Sequence, residues 1–444
     1  MRAANLRQPM KANPDQLASR LEAELGSAAV SMEPELLVAR LIDGVHPCLV
    51  CSPAHAEEVS AALRVCSETD AAVTPWGGGT AVGIGNVPER VDVIINLSKL
   101  NHVIEHDDAN LTATVQSGIS LAASQEVTAG ARQFVPFDVA SPRCSTIGGI
   151  VAANLNGARR ACYGSVRDLV IGMKVALPTG EHIKAGGKVV KNVAGYDMCK
   201  LFVGSFGTLG IITELTLRLT PVPEAEATLA ASGSLMELSE FAGEILDSVL
   251  LPSAIVLWTT ETSSSSETPQ LGWQMAVRAE GFAEHVGRHL RDLELLAERL
   301  GLASVTYTNA AHEKLWAGIC DFPILGHELV YRLMVPRSAI SALLHELQDL
   351  GSTDSSPAIV ADMAGGTIWI GSNEVSSASA RFLQLQSKAA QHKGHVAMVD
   401  APAGVKRDLD IWGPTPAAFF LMRRIKQQFD PQRLLNPGRF VGRL

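Results

Sequence analysis

At 444 residues, 47% of them hydrophobic, the chain has the length and apolar content for two or more domains with sizeable cores. Its net charge of −9, with Lys and Arg scattered rather than clustered, excludes the basic footprint of a nucleic-acid-binding protein. Seven cysteines, an odd number spread along the chain, argue against a disulfide framework and for a reducing cytoplasm, and no stretch has the continuous apolar length of a transmembrane segment or signal peptide.

In chain order, residues 1–45 read as a polar leader and one short helix, with Leu17, Leu21 and Leu25 at helical spacing after Asn13-Pro14-Asp15 and a stop at Gly26. A first domain spans 46–222. Cys48-Leu49-Val50-Cys51 is an apolar strand; its cysteines have metal-ligand spacing, but no second pair completes four ligands, so they read as core. Val59, Ala62, Leu63 and Cys66 share one face of a helix, and Ala71-Ala72-Val73-Thr74 is the next strand. That strand delivers the chain into Pro75-Trp76-Gly77-Gly78-Gly79-Thr80-Ala81-Val82-Gly83, ahead of a further apolar strand, Val91 to Leu97. Three successive glycines leave no Cβ to hold a ligand off and let consecutive N–H groups converge on an anion, and Thr80 adds a hydroxyl. The loop therefore suits a pyrophosphate, although it is neither a P-loop nor a G-x-G-x-x-G turn, and a glycine triplet taken alone is more often a flexible turn.

Strands at 102–105 and 111–117 and a helix over Ser120 to Ala129 lead to Phe134-Val135-Pro136-Phe137-Asp138 and then to a segment from Ser145 to Gly157. This segment predicts a helix whose first turn carries hydroxyls and glycines. Ser145 or Thr146 caps it, Gly148 and Gly149 permit close approach of a flat or phosphorylated ligand, and its N-terminus attracts negative charge. Two such loops suit a long dinucleotide, with a tightly packed helix of small residues as the alternative. Tyr163-Gly164, Arg167-Asp168, a strand from Lys174 entering a hairpin, Lys191 to Asp197, and Gly204 to Gly210 follow. An alternating strand from Ile211 to Leu219 then runs to Pro221-Val222-Pro223, which closes the domain.

Residues 223–400 alternate strands and helices. Trp273 to Ala279, Leu329 to Val335, Ala358 to Ala361 and Thr367 to Ile370 read as strands. Phe282 to Leu300, with Val286, Leu290, Leu293 and Leu296 inward, and Ala339 to Leu350 read as helices, and Ser263-Ser264-Ser265-Ser266 as a solvated loop. The pattern is that of a ferredoxin-like α+β cap. His392 and His395, in His-Lys-Gly-His, read as a solvated loop rather than a metal site.

The order of these motifs resembles the FAD-binding domain of flavoproteins of the vanillyl-alcohol oxidase and p-cresol methylhydroxylase type. The segments that carry it are Trp76 to Thr80, Thr146 to Gly157, Tyr163 to Asp168, Lys191 to Asp197, Gly204 to Gly210, and a tail with Asp430-Pro431 and Leu435-Asn436-Pro437-Gly438-Arg439. The resemblance implies an α+β fold with a two-subdomain FAD-binding domain, a cap, and a segment 401–444 that returns to the flavin domain. It implies FAD contacts from Trp76, Gly77, Gly78, Gly79, Thr80, Gly83, Pro136, Asp138, Ser145, Thr146, Gly148, Gly149, Asn154, Gly157, Tyr163, Gly164, Gly207, Ile211, Ile212 and Asn436. Thr80 stands where covalent relatives carry a flavinylated histidine, so the FAD is expected to be noncovalent.

Within this type the chain is most similar to the FAD-binding subunits of glycolate oxidases. That implies a small 2-hydroxy acid as substrate, a catalytic flavin subunit and an iron–sulfur subunit as partners, and a cytoplasmic location with docking at the inner membrane through those partners. Three departures stand out: Trp76 replaces a loop arginine, Phe206 replaces a glutamate, and Asp362-Met363-Ala364-Gly365-Gly366-Thr367 stands where catalytic relatives carry paired histidines. The arginine expected soon after the cap tryptophan is also missing, because Trp316 is followed by Ala-Gly-Ile-Cys. Arg332 is the remaining candidate for a substrate carboxylate, with a structural or surface arginine as the alternative. A self-sufficient hydroxy-acid dehydrogenase and a structural subunit whose flavin serves assembly are the other readings.

Overall fold

The computed structural model describes residues 13–188, 196–261, 271–348 and 357–444. Lys191 to Gly195, Ser263 to Ser266 and the expected helix end at Leu350 lie outside the described residues.

The first sheet has the spatial order Val30–Ser31, Leu49–Cys51, Val93–Asn96, Val73–Trp76, with Val93–Asn96 parallel to both its neighbours. Helix Ala56–Thr69 covers it, burying Val59, Ala62, Leu63 and Cys66 completely against Leu49, Val93 and Ile95. Cys51 is part of this core. Val73–Trp76 runs two residues further than the apolar pattern predicts, since Pro75 and Trp76 pair with Ile95 and Asn96. Proline is tolerated there because this is the edge of the four-stranded sheet.

The C-terminal tail covers that edge. Val73 N–H donates to the Leu434 carbonyl at 2.7 Å, and Asn436 N–H donates to the Val73 carbonyl at 2.9 Å. A buried lysine, Lys426, holds the tail in place by donating to Asp430 Oδ2 at 2.7 Å and to the carbonyls of Thr208 and Leu435 at 2.8 and 2.9 Å. Asp430 in turn accepts from the N–H groups of Leu434 and Leu435. No buried charge in this knot lacks a partner, which such burial demands.

A second, antiparallel sheet has the order Val103–Asp107, Thr112–Gln116, Ile211–Arg218, Val170–Ala176, His182–Gly186. Helices Leu121–Ala129 and Ile147–Ala153 pack on it, and its Ala176 and Ile211 are buried in the core of the first sheet.

The remaining large element is one eight-stranded sheet made of two βαββαβ units. The first runs strand Ala225–Gly233, helix Leu235–Asp247, strands Ala254–Glu261 and Leu271–Gly281, helix Ala283–Arg299, strand Ala303–Thr308. The second runs strand Leu329–Met334, helix Ile340–Gln348, strands Ala358–Asp362 and Thr367–Ser372, helix Ala378–Gln391, strand His395–Asp400. Each has the ferredoxin-like strand order, and the second strands of the two units join antiparallel, with Val256 opposite Asp362 and Trp258 opposite Val360. Strand alternation sends Ile359 and Ala361 into the helix-covered core and leaves Val360 and Asp362 on the opposite face. Among the described residues no helix is long and apolar enough to cross a membrane.

Candidate functional site

The edge strand ends at Trp76 and the chain turns through Gly77, Gly78 and Gly79. A Cβ on Gly77 would lie 2.2 Å from Thr146 Oγ1, one on Gly78 would lie 1.7 Å from the Cys144 carbonyl oxygen, and Gly79 has φ 79°. Only glycine fits this close approach of loop to loop. Thr146, not Ser145, caps helix Ile147–Ala153: its Oγ1 accepts from Gly149 N–H at 3.2 Å. Ser145 Oγ donates to the Ala140 carbonyl at 2.8 Å and lies 3.0 Å from Thr80 Oγ1.

Between these loops runs a cleft of about 910 Å³, open solvent included, whose walls comprise Trp76 to Val82, Ser117, Thr146, Gly148, Gly149, Phe206, Gly207, Gly210 to Ile212, Asn436 and Arg439. Thr74 Oγ1, Ser117 Oγ, Asn436 Oδ1 and Arg439 Nε, all on this cleft, are buried atoms without a hydrogen-bond partner. Each such orphan costs about 1–3 kcal/mol, so four around one cleft point to a polar ligand that satisfies them. Arg439, 6% exposed, donates to the carbonyls of Val82 at 2.5 Å and Ile84 at 2.8 Å. Burial pushes its guanidinium down to about 10, which leaves it a cation at neutral pH. On the far side Arg40 stacks over the Trp76 ring, its Cζ 4.8 Å from the centroid.

A second cavity, about 1,200 Å³ with open solvent included, shares Thr80 and Ile84 with the cleft. Gly83, Asp138, Ser145 and Gly157 line it from the side of the two smaller sheets, and Arg332, Val360, Asp362, Thr367 and Trp369 line it from the large sheet. Arg332 lies opposite Trp369, with its Cζ 5.6 Å from the ring centroid and its Nε buried without a partner. Burial, and then the neighbouring Arg160, push its guanidinium down to about 10. Asp362 is 7% exposed, and burial pushes its carboxyl up to about 7. The Cys320 thiol donates to Asp138 Oδ1 at 3.1 Å; burial and that carboxylate push it well above the ordinary thiol range, so it is neutral.

The sequence of residues 47–186 matches the FAD binding domain family, and residues 414–440 match the C-terminal domain of FAD linked oxidases. The glycolate oxidase subunit GlcD of Bacillus subtilis (strain 168) is 28% identical over 428 residues, 89% of each chain. The chain is an FAD-linked oxidoreductase. A D-lactate dehydrogenase of Anaerostipes hadrus is 40% identical over 173 residues, 39% of this chain and 36% of that one. p-Cresol methylhydroxylase with substrate bound has the same fold, with a TM-score of 0.74 and 18% identity over 96% of each chain.

FAD is the cofactor of this oxidoreductase, and the first cleft fits it: glycine-walled, cationic at Arg439, and carrying unsatisfied polar atoms. Of the residues the resemblance singles out, Trp76 to Thr80, Thr146, Gly148, Gly149, Gly207, Ile211, Ile212 and Asn436 line this cleft, and Thr80, Gly83, Asp138, Ser145, Gly157 and Arg332 line the second cavity. Pro136, Asn154, Tyr163 and Gly164 line neither. Asn154 ends helix Ile147–Ala153 at φ 51°, and the Tyr163 hydroxyl donates to Glu280 at 3.4 Å. Sequence reasoning missed Thr74, Ser117 and Arg439. A signal for Arg439 was present in the Asn-Pro-Gly-Arg tail, but not its direction. Among the described residues no group of three or more His, Cys, Asp or Glu could hold a metal, and His392 instead meets Glu346 Oε1 at 2.9 Å.

Proposed function

We propose that FAD lies noncovalently in the first cleft and that this chain oxidises a 2-hydroxy acid in the second cavity. The observation that carries the reading is the shared wall: Thr80 borders both spaces, so a ligand in the cleft and one in the cavity meet there. The backbone N–H groups of Gly77, Gly78 and Gly79 and the Arg439 cation would hold the pyrophosphate charge, while Thr74, Ser117 and Asn436 offer the unpaired polar atoms. Thr80 has no nucleophilic ring nitrogen for the histidyl link of covalent relatives. FAD, when bound, supplies a two-electron acceptor.

The chain's own residues provide binding and orientation. Arg332 offers the substrate carboxylate a planar pair of donors, and stacking on Trp369 fixes that plane. The surrounding apolar wall, including Val256, Val360 and Val399, excludes water and strengthens the ion pair. The test is anaerobic mixing of the purified chain with glycolate, D-lactate and longer 2-hydroxy acids, with flavin absorbance as the readout. Bleaching by one of them that is lost in Arg332→Ala supports the reading.

A second reading is favoured by the relation to a glycolate oxidase subunit over most of both chains. In it the chain is the FAD-binding subunit of a hydroxy-acid dehydrogenase complex and passes electrons from a catalytic flavin subunit to an iron–sulfur partner. Its mark is a flavin unreactive toward every acid alone but reduced when the partner is added. A subunit that uses flavin only for assembly fails both experiments.

A further inference from the structure

Asp362 is the acidic residue of the second cavity whose surroundings single it out. It ends strand Ala358–Asp362 at the junction of the two ferredoxin-like units, opposite Val256 on one side and Thr367 on the other. Among the described residues it forms no ion pair, and its hydrogen bonds, from the N–H groups of Ala364 at 3.2 Å and Gly365 at 2.8 Å, both fall on Oδ1. The turn that follows is shaped around it. A Cβ on Gly365 would lie 1.9 Å from Asp362 Oδ2, and Gly366, at φ 79°, would put a Cβ 2.4 Å from the Val335 carbonyl oxygen. One oxygen is thus fixed by the backbone and the other is left for what enters the cavity.

Arg332 shares the face. It pairs with Trp369, which pairs with Val360, one pleat from Asp362. A carboxylate on Arg332 therefore sets the rest of a small acid against the row that holds Asp362. Resting on the substrate reading above, we propose that Asp362 is the general base of this site and takes the hydroxyl proton of a 2-hydroxy acid whose carboxylate Arg332 holds. The step balances: the O–H bond breaks with its proton passing to Asp362, the C2–H electron pair leaves as hydride to FAD, the oxidant, and the C–O bond becomes the carbonyl of a 2-oxo acid. A base titrating near neutrality suits that task, and burial pushes this carboxyl up to about 7.

The other groups facing the cavity or bordering it are accounted for. The Arg160 cation draws the carboxyl down and Asp138 opposes it, while Arg332 and Asp400 line the same cavity. The Cys320 thiol is neutral, and His395, lowered by burial and Arg332, begins the neighbouring strand.

The decisive measurement is calorimetric binding of 2-oxohexanoate to the FAD-loaded chain in buffers of different ionisation enthalpy. Protonated Asp362 donates to the product carbonyl, so binding near pH 8 should take up close to one proton per site, and near pH 6 almost none. Asp362→Asn should abolish the uptake while leaving FAD content and the dissociation constant within roughly threefold, since the amide also donates; His395→Gln should leave the uptake intact. In the same variant, flavin reduction by 2-hydroxyhexanoate should slow by about 10²- to 10⁴-fold. Uptake that persists in Asp362→Asn, or reduction at the wild-type rate, overturns the base assignment and leaves the substrate reading standing. A wild-type chain that neither binds the oxo acid nor is reduced by the hydroxy acid overturns both.

Discussion

Arg159 and Glu280 meet at 2.5 Å across the seam between the flavin-binding sheets and the large sheet, with the Glu280 side chain almost wholly buried. Arg278 approaches the same carboxylate at 3.3 Å, and Glu226 joins both arginines and His312 into one network. The seating of the large sheet against the two smaller ones thus depends on charges withdrawn from water. Removing one partner strands the others, which typically costs about 3–5 kcal/mol for a buried pair. Glu280→Gln should lower stability by roughly that amount in urea unfolding. A midpoint unchanged from wild type would show that the seam is held by apolar contacts instead.

The same network sets an acid limit. Burial raises the Glu226 carboxyl, but hydrogen bonds from His312 and Arg278 outweigh it and hold the group at about 2, below the ordinary 4.5. A depressed folded-state value means stability fully present above the ordinary value and lost as pH falls toward about 2. Unfolding free energy should therefore decline across that window, and Glu226→Gln should flatten the decline in denaturation curves taken at stepped pH.

Gly78→Val should yield folded, colourless protein. The added carbons have no space beside the Cys144 carbonyl, so the loop must move off the cleft. Retained far-ultraviolet dichroism with lost 450-nm-region absorbance is the expected pair of results. In the parent protein, acid precipitation should leave all FAD in the supernatant, because Thr80 makes no covalent link.

Arg439→Met should weaken FAD binding without removing it. A charged hydrogen bond contributes about 1.5–3 kcal/mol, which corresponds to a roughly ten- to hundredfold rise in dissociation constant. Fluorescence titration of the apoprotein measures it. An unchanged constant would mean that Arg439 serves only the carbonyls of Val82 and Ile84.

The second cavity predicts a substrate preference. Val256, Ile319, Ile324, Val360 and Val399 line it, and each buried methylene contributes about 0.8 kcal/mol, or roughly fourfold. Among glycolate, 2-hydroxybutyrate and 2-hydroxyhexanoate, kcat/KM should rise with chain length. A maximum at glycolate would show that the apolar wall is shielded from substrate.

What the sequence disclosed and what it hid divide along a physical line. Val59, Ala62, Leu63 and Cys66 announce their helix because period and burial are local, and Gly77 to Gly79 announce a close approach because no other residue tolerates it. Arg439 and Asp362 both lie in segments the sequence marked, but their roles did not show there. The chemistry of each depends on burial, and burial depends on segments hundreds of residues away or on a strand register that no local pattern encodes. Tyr163 shows the converse: it belongs to a recognisable motif, yet its hydroxyl is turned to Glu280 at the seam. The cap also exceeded its reading, since two ferredoxin-like units rather than one build the floor on which Arg332 and Asp362 sit.

The tail that covers the edge strand at Val73 has a consequence for biogenesis. Asn436 and Arg439 wall the cleft, and Leu434 and Asn436 complete the hydrogen bonds of the strand that feeds the glycine loop. The nascent polypeptide therefore lacks a finished flavin pocket until translation has passed residue 439. If the first cleft holds FAD as proposed, capture waits until residue 439 has been made, and a product terminated before it should leave the ribosome colourless however well its first 400 residues have folded.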